Sequence, residues 1–173
     1  NVVIADINET EGLKIVDDIK QLSHKAIFFK MDVTNSSNVN EVFDKVANEY
    51  GSVDVLVNCA GITKRVAPLE FPEEDFDKIM AVNIKGTFLC CQAAGRYMAK
   101  HGGGKIVNIA SVGGLVGLKN TVAYCTSKGA VVQMTKAMAL DLAQYKINVN
   151  AVAPALANTP IATPVMEDKA TLD

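Results

Sequence analysis

Five short apolar runs rich in Val and Ile recur along the chain, and helical patterns separate them. Most of these runs are continuous rather than alternating, which is typical of strands covered by helices on both faces. Strands that alternate with helices build a parallel sheet, because two parallel strands need a crossover between them. The sequence therefore predicts an α/β fold with a doubly wound parallel sheet in three layers, αβα. The predicted strands are residues 2–6, 26–31, 53–57, 105–110 and 147–152.

Helical periodicity fills the intervals between these runs. Apolar residues recur every three or four positions over residues 9–22 and 39–50, which indicates amphipathic helices. Two longer helices are predicted over residues 72–100 and 121–145, and three consecutive glycines end the first of them. Neither a repeat nor a linker interrupts the pattern, so we expect a single domain over residues 1–173.

Composition excludes several classes of protein. A chain of 173 residues that is 49% hydrophobic and has a formal net charge of −2 has the composition of a soluble globular domain. Its lysines and arginines are scattered, which argues against nucleic acid and anionic lipid as partners. No apolar stretch reaches the roughly 18 residues of a membrane-spanning helix. Four cysteines without metal-site spacing indicate reduced thiols in a cytoplasmic protein without a metal site.

Polar side chains follow the strands at the edge where such a sheet binds ligands. Asp6 follows the first strand, where a carboxylate can accept both ribose hydroxyls of an adenosine and repel a 2′-phosphate. This position favours NAD over NADP. The alternative is that Asp6 is a helix cap or turn residue.

The other strand ends carry further candidates. Asp32 and Val33 follow the second strand, and the element Asn58-Cys59-Ala60-Gly61 follows the third. Small residues such as Ala60 and Gly61 let a ligand approach the backbone closely. Ser111 follows the fourth strand, and Pro154 follows the fifth. Taken singly, each of these residues is equally consistent with an ordinary turn.

Tyr124 and Lys128 lie four residues apart, so their side chains share one face of the predicted helix 121–145. An ammonium beside a phenol favours the phenolate, which makes proton exchange with an alcohol or ketone feasible at neutral pH. The spacing alone occurs by chance in many helices. The pair therefore gains its meaning from the strand-end residues around it.

Taken in order, these elements resemble the short-chain dehydrogenase/reductase family, in its compact single-domain form with a Rossmann-like sheet. Asn58-Cys59-Ala60-Gly61 matches the family's Asn-Asn-Ala-Gly, with Cys59 in place of the second asparagine. Tyr124 and Lys128 match its Tyr-x-x-x-Lys. The family's catalytic asparagine, catalytic serine, nicotinamide segment and carboxamide-contacting threonine are matched by Asn83, Ser111, the stretch 148–154 and Thr159.

The resemblance implies a role for each matched residue. Tyr124 would exchange a proton with the substrate oxygen while hydride passes to or from the nicotinamide. Lys128 would favour the phenolate and hold the nicotinamide ribose. Ser111 would hydrogen-bond the substrate oxygen, and Asn83 would hold a water that links Lys128 to solvent. The cofactor would lie along Asp6, Asp32, Val33, Asn58, Ala60, Gly61, Tyr124, Lys128, Pro154 and Thr159.

The resemblance also implies an NAD-linked enzyme that acts on a small alcohol or carbonyl compound and assembles as a homotetramer. The sequence departs from the family pattern in two places. Ala155 replaces a family glycine, and the family's first strand and glycine-rich phosphate loop have no counterpart in the sequence. We therefore expect an internal fragment of a longer enzyme. The alternatives are a dinucleotide-binding regulator without catalysis and a truncated, inactive polypeptide.

Overall fold

The computed structural model describes residues 1–155 and 157. Strands and helices alternate along this part of the chain, and short 3₁₀ turns follow several of them. In chain order the elements are β1 Val2–Asp6, α1 Glu9–Gln21, β2 Ala26–Lys30, α2 Ser36–Tyr50, β3 Val55–Asn58, α3 Glu73–Met80, a π-helical segment Ala81–Gly86, α4 Thr87–Lys100, β4 Gly104–Ile109, α5 Val122–Leu142 and β5 Ile147–Val152.

All the paired strands run parallel, as the sequence predicted. β1 pairs with β2 in register from Val2 opposite Ala26 to Asp6 opposite Lys30. β4 lies between β3 and β5, and Asn58 stands opposite Asn108 at the end of that ladder. Within the described residues the strands thus form two sheets, β1-β2 and β3-β4-β5. The predicted strands are confirmed, with ends that move by one or two residues.

Side-chain caps fix where the first two helices begin. Asn8 Oδ1 accepts the Glu11 N–H at 3.2 Å, and Asn35 Oδ1 accepts the Asn38 N–H at 3.0 Å. Each bond satisfies a backbone donor that has no partner inside its helix. α2 ends at Tyr50 and is capped by Gly51, whose φ of 79° lies in the left-handed region that favours glycine. These caps direct the chain from each strand end into the helix that follows.

The stretch predicted as helical over 72–100 is helical from Glu73 to Lys100, with a change of helix type in its middle. α3 and α4 flank the π-helical segment Ala81–Gly86, in which the backbone widens by one residue per turn. Asn83 lies inside this segment, and Thr87 Oγ1 donates to the Asn83 carbonyl at 2.8 Å. The predicted long helical stretch is confirmed, but the widened turn inside it was not predicted, because apolar periodicity does not reveal a single widened turn.

The core joins α2 and α4 to the three-stranded sheet. Its buried members include Val39 and Phe43 from α2, Met98 from α4, and Ile106 and Ile147 from the sheet. Burying an aliphatic or aromatic side chain of this size stabilises a fold by about 1.5–3 kcal/mol. This packing anchors the three-stranded sheet, whose carboxyl ends carry the candidate residues.

No helix in the described part of the chain combines the length and the apolar character needed to cross a membrane.

Gly86 and Gly95 offer a matched test of the contact between the widened turn and the end of β2. A Cβ at Gly86 would lie 2.6 Å from Val33 Cγ2, whereas the nearest atom to a Cβ at Gly95 is Leu142 Cδ1 at 3.9 Å. We expect Gly86→Ala to lower the free energy of unfolding by about 1–3 kcal/mol through overpacking. Gly95→Ala should leave it unchanged or raise it by up to about 1 kcal/mol. Denaturant unfolding measures both, and equal effects would contradict the contact.

Candidate active site

A buried asparagine ties together two segments that border the candidate site. Asn83 is 1% exposed, and its side chain accepts the Ile62 N–H at 2.8 Å and donates to the Ile62 carbonyl at 2.9 Å. Its second amide hydrogen goes to Ser127 Oγ at 2.9 Å, and Ser127 donates to the Tyr124 carbonyl at 2.7 Å. We call Asn83, Ile62 and Ser127 the amide clamp. It fixes the segment after β3 against the first turn of α5.

Lys128 lies one turn beyond Tyr124 and is buried, with 5% of its surface exposed. Its Nζ donates to the Ile109 carbonyl at 2.6 Å and lies 5.9 Å from the centroid of the Tyr124 ring. Burial lowers the pKa of Lys128, and negative charge on the nearby Cys59 sulfur would oppose this shift. Because a charged group is costly to bury, the Ile109 carbonyl at the end of β4 helps to hold the ammonium in place.

Ser111 begins the loop that follows β4. Its Oγ accepts the Gly113 N–H at 3.1 Å, and the next residue, Val112, donates its N–H to the Pro154 carbonyl at 2.9 Å. The loop packs tightly on α5, since a Cβ at Gly114 would lie 2.7 Å from the Lys128 carbonyl. The loop of Ser111, the segment of Pro154 and the turn of Lys128 therefore form one packed unit.

Asn58 points its amide nitrogen into the protein interior. Its Nδ2 donates to Asn108 Oδ1 at 2.9 Å and to Cys91 Sγ at 3.2 Å, and Asn108 Nδ2 donates to Thr135 Oγ1 at 2.9 Å. Burial raises the pKa of Cys91 to about 11, so this thiol is protonated and unreactive at neutral pH. This buried polar network joins β3, β4, α4 and α5 beneath the site.

The acidic candidates lie at the ends of the other sheet. Asp6 is exposed, and its Oδ1 accepts the Asn8 N–H at 2.8 Å, so the turn role that the sequence left open is present. Asp32 Oδ1 accepts both the hydroxyl and the N–H of Thr34, which lowers the pKa of Asp32. The neighbouring Val33 is the residue that packs on Gly86.

The structure thus brings one group of predicted residues together at the carboxyl ends of β3, β4 and β5. It places Asp6 at the end of β1, and Asp32 and Val33 after β2. A Cβ at Gly61 would lie 3.5 Å from both Lys128 Nζ and Asn83 Oδ1. Thr159 lies outside the described residues. The grouped residues are Gly61, Asn83, Ser111, Tyr124, Lys128 and Pro154.

Sequence reasoning missed three polar residues that hold the site. Ser127 was passed over although its position, three residues after Tyr124 and next to Lys128, places it toward the protein interior. Asn108 and Thr135 were also missed, because a polar residue in an apolar strand or helix gives no signal of its partner. A Ser or Thr on the buried face of a helix is the available sign of such a bond.

The parallel strands with polar residues at their carboxyl ends define a Rossmann-like α/β protein. A family model described as short chain dehydrogenase matches residues 1–170, and the chain belongs to that family. The resemblance drawn from the motifs is thereby confirmed.

Curated relatives share moderate sequence identity with this chain. An NAD-dependent glycerol dehydrogenase of Listeria innocua is 38% identical over 154 residues, which are 86% of this chain and 61% of the relative. A 3-oxoacyl-(acyl-carrier-protein) reductase of Thermotoga maritima is 39% identical over 166 residues, which are 96% of this chain and 68% of the relative. The chain thus spans about two thirds or less of the length of these relatives.

Solved structures agree with the fold. A gluconate 5-dehydrogenase from Burkholderia cenocepacia, in complex with NADP and tartrate, superposes with a TM-score of 0.93 at 33% identity and covers 98% of this chain and 66% of its own. An NAD⁺-bound xylitol dehydrogenase gives a TM-score of 0.85 at 37% identity and covers 88% of this chain and 59% of its own. These matches confirm the predicted Rossmann-like fold.

Proposed function

We propose that this chain carries the catalytic residues of an oxidoreductase that interconverts an alcohol and a carbonyl compound with a nicotinamide cofactor. The observation that carries the proposal is the position of the buried Lys128 ammonium, 5.9 Å from the centroid of the Tyr124 ring. A cation beside a phenol stabilises negative charge on the phenol oxygen. Tyr124 is the general acid in carbonyl reduction and the general base in alcohol oxidation.

The residues around Lys128 fit a dinucleotide. An ammonium has three N–H donors, and the Ile109 carbonyl takes one of them, so Lys128 can also bind ribose hydroxyls. Gly61 has no side chain to fill the space beside Lys128. When bound, the nicotinamide supplies the hydride acceptor or donor. Further contacts would come from Asp6, Asp32, Val33, Asn58, Ala60 and Pro154, and Thr159 is proposed from the sequence alone.

Ser111 is poised to bind the reacting oxygen. The Gly113 N–H occupies one lone pair of its hydroxyl oxygen, which fixes that oxygen and leaves the hydroxyl hydrogen to donate. A donor held in advance stabilises developing charge without reorganisation. The Asn83 amide is committed to the amide clamp, so we assign the predicted water to the Asn83 backbone carbonyl, which also accepts from Thr87 Oγ1.

We infer NAD rather than NADP from Asp6. One of its carboxylate oxygens accepts the Asn8 N–H, which fixes the side chain at the end of β1. A fixed carboxylate there accepts ribose hydroxyls and repels a 2′-phosphate. Relatives with either dinucleotide bound are known, so this preference belongs to the proposal. We also propose that the protein acts on a small alcohol or carbonyl compound, forms a homotetramer and is cytoplasmic.

Replacing Tyr124 by Phe tests the acid/base role. Tyr124→Phe should reduce the rate of NADH-dependent carbonyl reduction by at least about 10²-fold, because the proton donor is lost. Tyr145→Phe, at an exposed tyrosine just beyond the end of α5, is the matched control and should keep the wild-type rate. Absorbance of NADH over a panel of ketones measures both rates. Equal turnover by Tyr124→Phe and wild type would refute the role of Tyr124.

Replacing Asp6 tests the cofactor preference. Asp6→Ala should reduce the ratio of kcat/KM for NADH to that for NADPH by about tenfold or more, because the repelling charge is removed. Asp54→Ala changes an exposed aspartate beside the start of β3 and should keep the ratio. Initial rates with the two cofactors give this ratio. A ratio that Asp6→Ala leaves unchanged would count against the ribose contact.

A further inference from the structure

Arg65 lies on the segment that leaves the end of β3 and crosses to the start of α5. It follows Gly61 by four residues, it is half-buried, and its Nη2 contacts the Lys119 carbonyl at 3.5 Å. The next residue, Val66, donates its N–H to the Asn120 carbonyl at 2.9 Å. Arg65 is therefore held beside the stretch that leads into the turn of Tyr124.

Both ends of this segment are fixed to the site. The amide clamp holds Ile62 through both its N–H and its carbonyl, and the Val66 bond holds the other end. Three residues separate these anchors, which limits how far the backbone at Arg65 can move. The backbone at Arg65 is therefore held beside the stretch that precedes α5.

The charge of Arg65 is not neutralised in the described part of the chain. The two ion pairs found there join Lys45 to Glu41 and Lys64 to Asp75, and neither includes Arg65. A guanidinium offers five N–H donors, and its one contact with a carbonyl is long for a hydrogen bond. Arg65 thus has donors in reserve in the planar arrangement that binds a carboxylate through two bonds.

Apolar surface lies next to this cation. Leu115, Val116 and Leu118 are exposed on the loop that connects Ser111 to Lys119. This loop connects Ser111 to Lys119, whose carbonyl Arg65 contacts, so a substrate that binds at both ends can contact its apolar side chains. Such an arrangement suits a compound with a carbon chain between its reacting oxygen and an anionic end.

We propose that Arg65 binds the carboxylate of the substrate, so that the protein acts on keto acids and the corresponding hydroxy acids. This inference rests on the function proposed above. The keto group lies at Tyr124 and Ser111, and the carboxylate pairs with the guanidinium at the far side of the apolar loop. Because the carboxylate is remote from the reacting carbon, Arg65 is a residue for substrate binding and specificity.

The test compares keto acids of increasing chain length with their neutral methyl amides. Wild type should prefer an acid over its amide by at least about tenfold in kcat/KM, the value of one charge-assisted pair of bonds. Arg65→Gln should remove this preference mainly through a higher KM for the acid. Arg65→Lys should keep part of it, because the charge remains while the planar fork is lost.

Arg96→Gln is the matched control, since Arg96 lies on α4 and bonds to Gln92 and Asn40 away from this segment. It should keep the acid preference of wild type. Circular dichroism and thermal melting establish that each variant is folded. If Arg65→Gln does not fold, Arg65→Lys decides: an undiminished acid preference would overturn the proposal.

Turnover and binding separate the two proposals. Equal kcat/KM for acids and amides, or an acid preference that survives in Arg65→Gln, would overturn the role of Arg65 and leave the proposed reaction intact. Failure of wild type to turn over either set would count against the proposed reaction. In that case saturation-transfer NMR of the same keto acids tests Arg65 directly: binding that Arg65→Gln abolishes supports the role, and equal binding overturns it. If sulfonate analogues bind more tightly than the keto acids, the carboxylate is not the preferred anion and this part of the proposal is overturned.

Discussion

The buried amide of Asn83 is the interaction on which the site depends. One side chain bonds to both backbone groups of Ile62 and to Ser127, and it does so from a widened turn between α3 and α4. Leaving one such buried group without a partner costs about 1–3 kcal/mol, so all three segments are energetically bound to one geometry. The segment after β3 and the first turn of α5 cannot move apart without breaking this set of bonds.

Two cations lie on the segments that the amide clamp joins. Lys128 bonds to the Ile109 carbonyl one turn beyond Tyr124, and burial lowers the pKa of Lys128. Arg65 is held at the other side by a segment whose first anchor is Ile62. In the proposed function, Lys128 serves the cofactor side of the reacting carbon and Arg65 serves the substrate side. The clamp contacts both segments, since Ile62 lies three residues before Arg65 and Ser127 directly precedes Lys128.

Much of this architecture could be predicted from the sequence. The features that could not be predicted depend on contacts that a sequence pattern does not reveal. Continuous Val/Ile runs predicted the strands, because burial on both faces removes the alternation. The widened turn at Asn83 was missed, since one extra residue barely disturbs an apolar periodicity. The inward direction of the Asn58 amide depends on Asn108, which lies 50 residues away. Spacing within one helix found Tyr124 and Lys128, whereas contacts between distant segments needed coordinates.

The role of the amide clamp in catalysis is tested most directly by Ser127→Ala. This change removes the hydroxyl that joins Asn83 to the Tyr124 carbonyl. If the amide clamp positions the turn of Tyr124, kcat should fall by about tenfold or more in a folded protein, since small displacements of a reacting group are costly. Ser37→Ala, at an exposed position on α2, should keep the wild-type kcat. An unchanged kcat in folded Ser127→Ala would show that the amide clamp does not position the turn of Tyr124.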